Sequence, residues 1–88
     1  MVVEEHVVFN FTALCRASGA NDIQLQALVD EGLLQPSGSG PQDWQFSGES
    51  LLQTRRVLRL AHELDLSLHG TAIVMALLAQ IEALKLRA

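Results

Sequence analysis

A chain of 88 residues that is 49% hydrophobic, 18% charged and of mean hydropathy +0.23 has room for one small core, here expected over 1–88, and is too apolar for a disordered segment. Its formal charge of −4, from 10 acidic and 6 basic residues, supplies no general attraction to a phosphate backbone, so nucleic acid is not an expected partner without a local basic patch. The lone Cys15 excludes an internal disulfide, MVVEEH lacks the basic-then-apolar order of a secretory leader, and the longest apolar run, Ala72 to Ala79, is short of the roughly 20 residues that span a bilayer; a cytoplasmic, reducing home without membrane attachment is expected.

Val2, Val3, Val7, Val8 and Phe9 predict a short opening strand. Asn10 or Thr12 then caps a short helix through Leu14 and Ala17, and Gly19 suits the turn after it. Asn21 or Asp22 caps a second helix, in which Ile23, Leu25, Leu28 and Val29 recur at helical spacing before Gly32. Leu33-Leu34-Gln35-Pro36, the breaker-rich SGSGPQD and Trp44-Gln45-Phe46 read as two short strands around a loose hairpin tip, which is how a wing looks. Trp44 and Phe46 alternate with Gln45, so both rings are expected on one face, against the core.

Ser47 caps a third helix, with Glu49 in its first turn. Val57, Leu58, Leu60, Ala61 and Leu64 share one side of it; Arg55, Arg56, Arg59, His62 and Glu63 share the other. After a break at Asp65 to Gly70, a fourth helix is predicted over 71–87. Its Val74, Leu77, Ile81 and Leu84 form a coiled-coil seam, which predicts a dimerisation helix and a homodimer. Ile73, Leu78 and Leu86 lie off that seam, more apolar surface than one small domain covers. The alternative is that this helix simply packs on the other three.

Catalysis has no local signature here: no paired carboxylates, no nucleophile with its base, and no phosphate-cradling loop, since SGSGP lacks the Lys-Ser/Thr ending. His6, His62, His69 and Cys15 stand on four segments without the paired spacing of zinc ligands, so neither metal nor cofactor is expected, and Cys15 beside Leu14 and Ala17 reads as a structural thiol. Arg55, Arg56 and Arg59 form the one basic stripe, where Arg59 and Glu63 are spaced for an i, i+4 pair.

The order short helix, turn, short helix, Glu31-Gly32-Leu33-Leu34-Gln35-Pro36, wing, long helix and last helix resembles the MerR-type winged helix-turn-helix over nearly the whole chain, as does Phe46-Ser47-Gly48-Glu49-Ser50-Leu51. The fold class expected is therefore mostly α, with a short β-hairpin wing and a C-terminal helix. The stretch from Arg56 to Leu66 and that from Gly70 to Leu77 are similar to the chaperone-modulator branch, the CbpM proteins. That resemblance implies a non-catalytic modulator that binds the J-domain of the DnaJ-like co-chaperone CbpA and restrains its work with DnaK. Members of that branch usually continue into a longer polar tail, which implies that this chain is trimmed or its coiled coil short.

A DNA-reading relative presents arginines and tyrosines on its second helix and wing, because phosphates need fixed cations and base edges need donors. Here the second helix carries Asp22, Asp30 and Glu31 with no basic residue, and the wing, Ser37 to Gln45, has no lysine or arginine. Like charge repels a polyanion within a Debye length of roughly 10 Å at 0.1 M salt. The same positions suit the basic surface that the resemblance attributes to J-domains, which makes Asp22, Gln26, Asp30 and Glu31 the expected partner face. The alternative is a MerR-type transcription regulator in which Arg16, Arg55, Arg56 and Arg59 hold DNA phosphates.

Overall fold

A computed structural model describes residues 7–87 in the element order β1 (Val8–Phe9), α1 (Phe11–Ser18), α2 (Asp22–Asp30), β2 (Phe46–Ser47), α3 (Gly48–Leu64) and α4 (Leu68–Arg87). The helix boundaries follow from caps. The Asn10 side chain accepts the Ala13 N–H at 2.8 Å to start α1, and Gly19 ends it at φ 85, a left-handed conformation that costs a residue without Cβ little. Asn21 and Gln24 exchange side-chain-to-backbone bonds at the head of α2, a complete capping box. Ser47 starts α3, and Asp65, at φ 52, returns its N–H to Ala61 and His62 to stop it.

The core gathers Leu14 from α1, Leu25 and Leu28 from α2, Phe46 from β2 and Val57 from α3, all at or near zero exposure, with Leu34, Leu51 and Met75 beside them. Each fully buried large apolar side chain contributes about 1.5–3 kcal/mol of transfer free energy, so these few residues carry most of the fold's cohesion. Thr54 and Thr71 are buried without cost to hydrogen bonding, because their hydroxyls donate to the Ser50 and Ser67 carbonyls at 2.7 and 2.8 Å.

The wing is present in a different pairing from the one expected. A single bridge joins Ser37 to Gln45, and β2 pairs antiparallel with the opening strand, Val8 opposite Ser47 and Phe9 opposite Phe46. The loop between is not loose: the Asp43 carboxylate accepts the Gly40 N–H at 2.8 Å, the Ser39 hydroxyl at 2.8 Å and the Ser39 N–H at 3.3 Å. Val2 and Val3 of the expected strand lie outside the described residues.

Three other expectations are corrected. Ile23 is 82% exposed although it recurs near Leu25 and Leu28; at roughly 100° per residue it stands about 200° from Leu25 and about 140° from Leu28, on the outer face. Leu64 lies on the Val57 face of α3 but is exposed, since no element covers that end. The last helix begins at Leu68, three residues before Thr71, and docks only through its first two turns, burying Thr71, Ala72 and Met75 against α2 and α3. From Ala76 onward every side chain described on it is exposed. By length and composition α4 is long and apolar enough to cross a membrane, a property that the count of uninterrupted apolar residues hid, because an average over Leu68–Leu86 absorbs Gln80, Glu82 and Lys85.

Candidate functional site

Asp22, Gln26 and Asp30 fall at successive i, i+4 positions and line one outer row of α2. Gln26 Nε2 donates to Asp30 Oδ1 at 2.9 Å, which orients that carboxylate. The neighbouring row holds Ile23 and Ala27, and Phe11 from the start of α1 closes the other side of a shallow cleft of about 440 Å³. A second hollow of about 470 Å³ shares Phe11 and Gln26 and reaches the wing tip at Pro41 and Gln42. The two together make a groove across α1, α2 and the wing, with an apolar floor and carboxylates on one rim.

Glu31 does not join this face. It follows the last turn of α2 and its Oε1 lies 2.8 Å from His69 Nδ1, tying the end of α2 to the beginning of α4. The α2 face expected from the sequence thus keeps Asp22, Gln26 and Asp30 and gains Ile23 and Phe11. Ile23 was legible as an outer residue from its angle alone; Phe11 was not, because its place depends on how α1 crosses α2.

The basic stripe is also divided. Arg55, Arg56 and Arg59 surround Leu52, which is exposed. Arg55 Nη2 donates to the Ala17 carbonyl oxygen at 2.9 Å, so this guanidinium closes the end of α1. Arg59 and Glu63 are not among the described ion pairs, despite their spacing.

Trp44 and Phe46 meet edge to face at 6.1 Å, with Phe11 at 6.3 and 6.5 Å from them, and Trp44 packs on the core as expected. Cys15 is half-buried and its thiol faces Asp22 Oδ1 at 3.8 Å. Burial, then the neighbouring carboxylate, pushes that thiol above its ordinary value, the opposite of what a nucleophilic cysteine needs. Among the described residues no group of three or more His, Cys, Asp or Glu converges as a metal site; His6 lies outside them.

Residues 9–88 match the family described as MerR HTH family regulatory protein. A chaperone modulatory protein CbpM from Pseudomonas putida (strain GB-1) is 32% identical over 79 residues, which cover 90% of this chain and 78% of that protein. The chaperone modulatory protein CbpM of Escherichia coli O1:K1 / APEC is likewise 32% identical over the same shares, and that of Pseudomonas entomophila (strain L48) 27% identical.

Proposed function

The chain belongs to the MerR helix-turn-helix family and, within it, to the chaperone-modulatory CbpM proteins, and on that premise we propose that it is a non-catalytic cytoplasmic adaptor that binds the J-domain of a DnaJ-like co-chaperone of the CbpA kind and inhibits its cooperation with DnaK. A chaperone-modulating role is what the relatives' name supports. The observation that carries the finer reading is the charge of the helix that a DNA-binding member of the fold would press on its ligand: α2 presents Asp22 and Asp30 beside the exposed Ile23, with no cation on the helix or the wing. Such a face repels phosphate and suits a basic protein surface. Inhibition then works by occupancy, since a J-domain covered on the surface that DnaK needs cannot stimulate it, and is reversible and stoichiometric.

The exposed half of α4 supplies the second part of the proposal. Leu77, Ile81 and Leu84 remain 53%, 47% and 64% exposed after the helix has docked, with Val74 half-buried at the start of the row. A second copy packed along this seam removes that apolar surface from water and makes the adaptor a homodimer.

Calorimetric titration of the full chain into an isolated J-domain from the same organism, with duplex DNA as the parallel ligand at moderate salt, tests the function. Micromolar or tighter binding to the J-domain alone is the expected result. Silence with the J-domain and steeply salt-dependent binding to DNA would replace the adaptor with the transcription-regulator reading, carried by Arg16, Arg55, Arg56 and Arg59.

A further inference from the structure

We infer that the groove between the outer face of α2, Phe11 and the wing tip seats one basic amphipathic helix of the partner, with Ile23 as its apolar anchor and Asp22 and Asp30 as its two electrostatic clamps. This deepens the J-domain reading and rests on it for the partner's identity, while the chemistry of the occupant follows from the groove itself.

Ile23 is the first observation. Its side chain is 82% exposed in the first turn of α2, next to Phe11 and Ala27 across a cleft of about 440 Å³, so a large aliphatic group stands in water with a ready-made hollow beside it. An apolar side chain inserted between Ile23 and Phe11 removes both from solvent, which is how an apolar hot spot works.

The second observation is charge. Asp22 and Asp30 are eight positions apart on one helix, hence about 12 Å apart along its axis, with Gln26 holding the Asp30 carboxylate in place. A partner helix lying along α2 meets them with cations seven or eight positions apart, and an apolar residue within one turn of the cation at Asp22 faces Ile23. No lysine or arginine lies on α2 or between Ser37 and Gln45, so neither a nucleic acid nor an anionic lipid surface fits this groove.

The third is preorganisation. The wing tip that borders the groove at Pro41 and Gln42 is held by the bonds from Ser39 and Gly40 to Asp43, so the groove wall needs little ordering when the occupant arrives. A second copy of this chain is a poorer occupant: its α3 stripe around Leu52 is basic, but a contact between two different faces runs head to tail and does not close into a dimer.

The test uses the full chain and its variants Ile23→Ala, Ile23→Asp and Asp22→Lys/Asp30→Lys, with Glu31→Gln as the control outside the groove. Each is titrated calorimetrically with two probes: an isolated J-domain, and a synthetic helix carrying lysines seven positions apart with a leucine within one turn of one of them. All the altered side chains are exposed, and circular dichroism with thermal melts verifies that each variant is folded. Expected are about tenfold weaker binding for Ile23→Ala, at least hundredfold weaker binding for Ile23→Asp and for the charge reversal, and less than threefold change for Glu31→Gln. J-domain binding that is indifferent to the Ile23 and aspartate changes overturns the groove and leaves the adaptor function standing. Binding of the synthetic helix with the expected losses, but none of the J-domain, leaves the groove standing and overturns the function. Wild-type protein that binds neither probe, or that self-associates through Ile23 instead, overturns the inference.

Discussion

Arg55 Nη2 donates to the carbonyl oxygen of Ala17 at 2.9 Å, so an arginine 38 residues downstream closes the end of α1. The last carbonyls of a helix have no partner within it and carry the negative end of its dipole, which is where a guanidinium is best placed. The stripe that reads in the sequence as three equivalent cations therefore contains one that holds two helices together and two, Arg56 and Arg59, that face solvent.

Replacing Arg55 by alanine is expected to lower unfolding free energy by about 1 kcal/mol in urea denaturation, the scale of a charge-assisted bond at a solvent-accessible site. Arg56→Ala and Arg59→Ala stay within about 0.5 kcal/mol of the parent. Equal losses at all three positions would show that Arg55 has no special structural part.

The wing tip gives a pH dependence whose sign is set by Asp43. The Gly40 N–H, then the Ser39 hydroxyl and the Ser39 N–H, hold its carboxyl below the ordinary carboxylate value. A depressed folded-state value means that the contribution is fully present above the ordinary value of about 3.9 and is lost as pH falls through the lower folded value. Amide hydrogen exchange at Ser39 and Gly40 should stay slow from about pH 7 to pH 5 once corrected for its intrinsic pH dependence, and lose protection below about pH 4. Asp43→Asn is expected to abolish that acid step.

Gly38 supplies a steric counterpart. It sits at φ 114, and a Cβ there would stand 2.6 Å from the Asp43 carbonyl oxygen, which is backbone and cannot swing aside. Gly38→Ala is expected to cost about 1–3 kcal/mol, read as a lower thermal midpoint, whereas an alanine at Gly40 meets only the end of Gln42 and costs less.

Along α4 the two halves should respond oppositely. Met75→Ala, in the docked half, is expected to cost about 2–3 kcal/mol in stability. Leu77→Glu with Ile81→Glu, in the exposed half, should leave monomer stability nearly unchanged while sedimentation equilibrium moves from dimer to monomer. A wild type that is monomeric and partitions onto neutral phosphatidylcholine vesicles would assign this face to lipid instead.

The Glu31 and His69 contact, at 2.8 Å between a partly covered carboxylate and a largely exposed imidazole, is a modest tie. Glu31→Gln should change stability by less than about 1 kcal/mol, the range for exposed pairs.

Local chemistry makes much of this protein legible in its sequence. Ser47 announces one helix start, and the pairs Asn10 or Thr12 and Asn21 or Asp22 two more, because a short side-chain oxygen beside unpaired N–H groups has few better uses; the structure chose Asn10 and Asn21, and Gly19 announces a stop because it tolerates φ 85. The absence of cations from α2 and the wing needs no structure to read, and it makes that face a poor match for phosphate.

Tertiary structure alone decided the rest, wherever the answer depends on what lies opposite a residue and not on its neighbours in sequence. β2 pairs with the opening strand, Phe46 opposite Phe9, and Phe46 shares one core with Leu14, a grouping of residues 32 positions apart that no local pattern encodes. Glu31 was separated from Asp22, Gln26 and Asp30 because one residue past the last helical turn points elsewhere, toward His69. Arg55 became a structural cap because α1 happens to end where α3 passes. The fourth helix kept Leu77, Ile81 and Leu84 of its seam exposed because the other three helices cover only its first two turns. Periodicity reports that a face is apolar; only packing reports whether anything within the chain covers it.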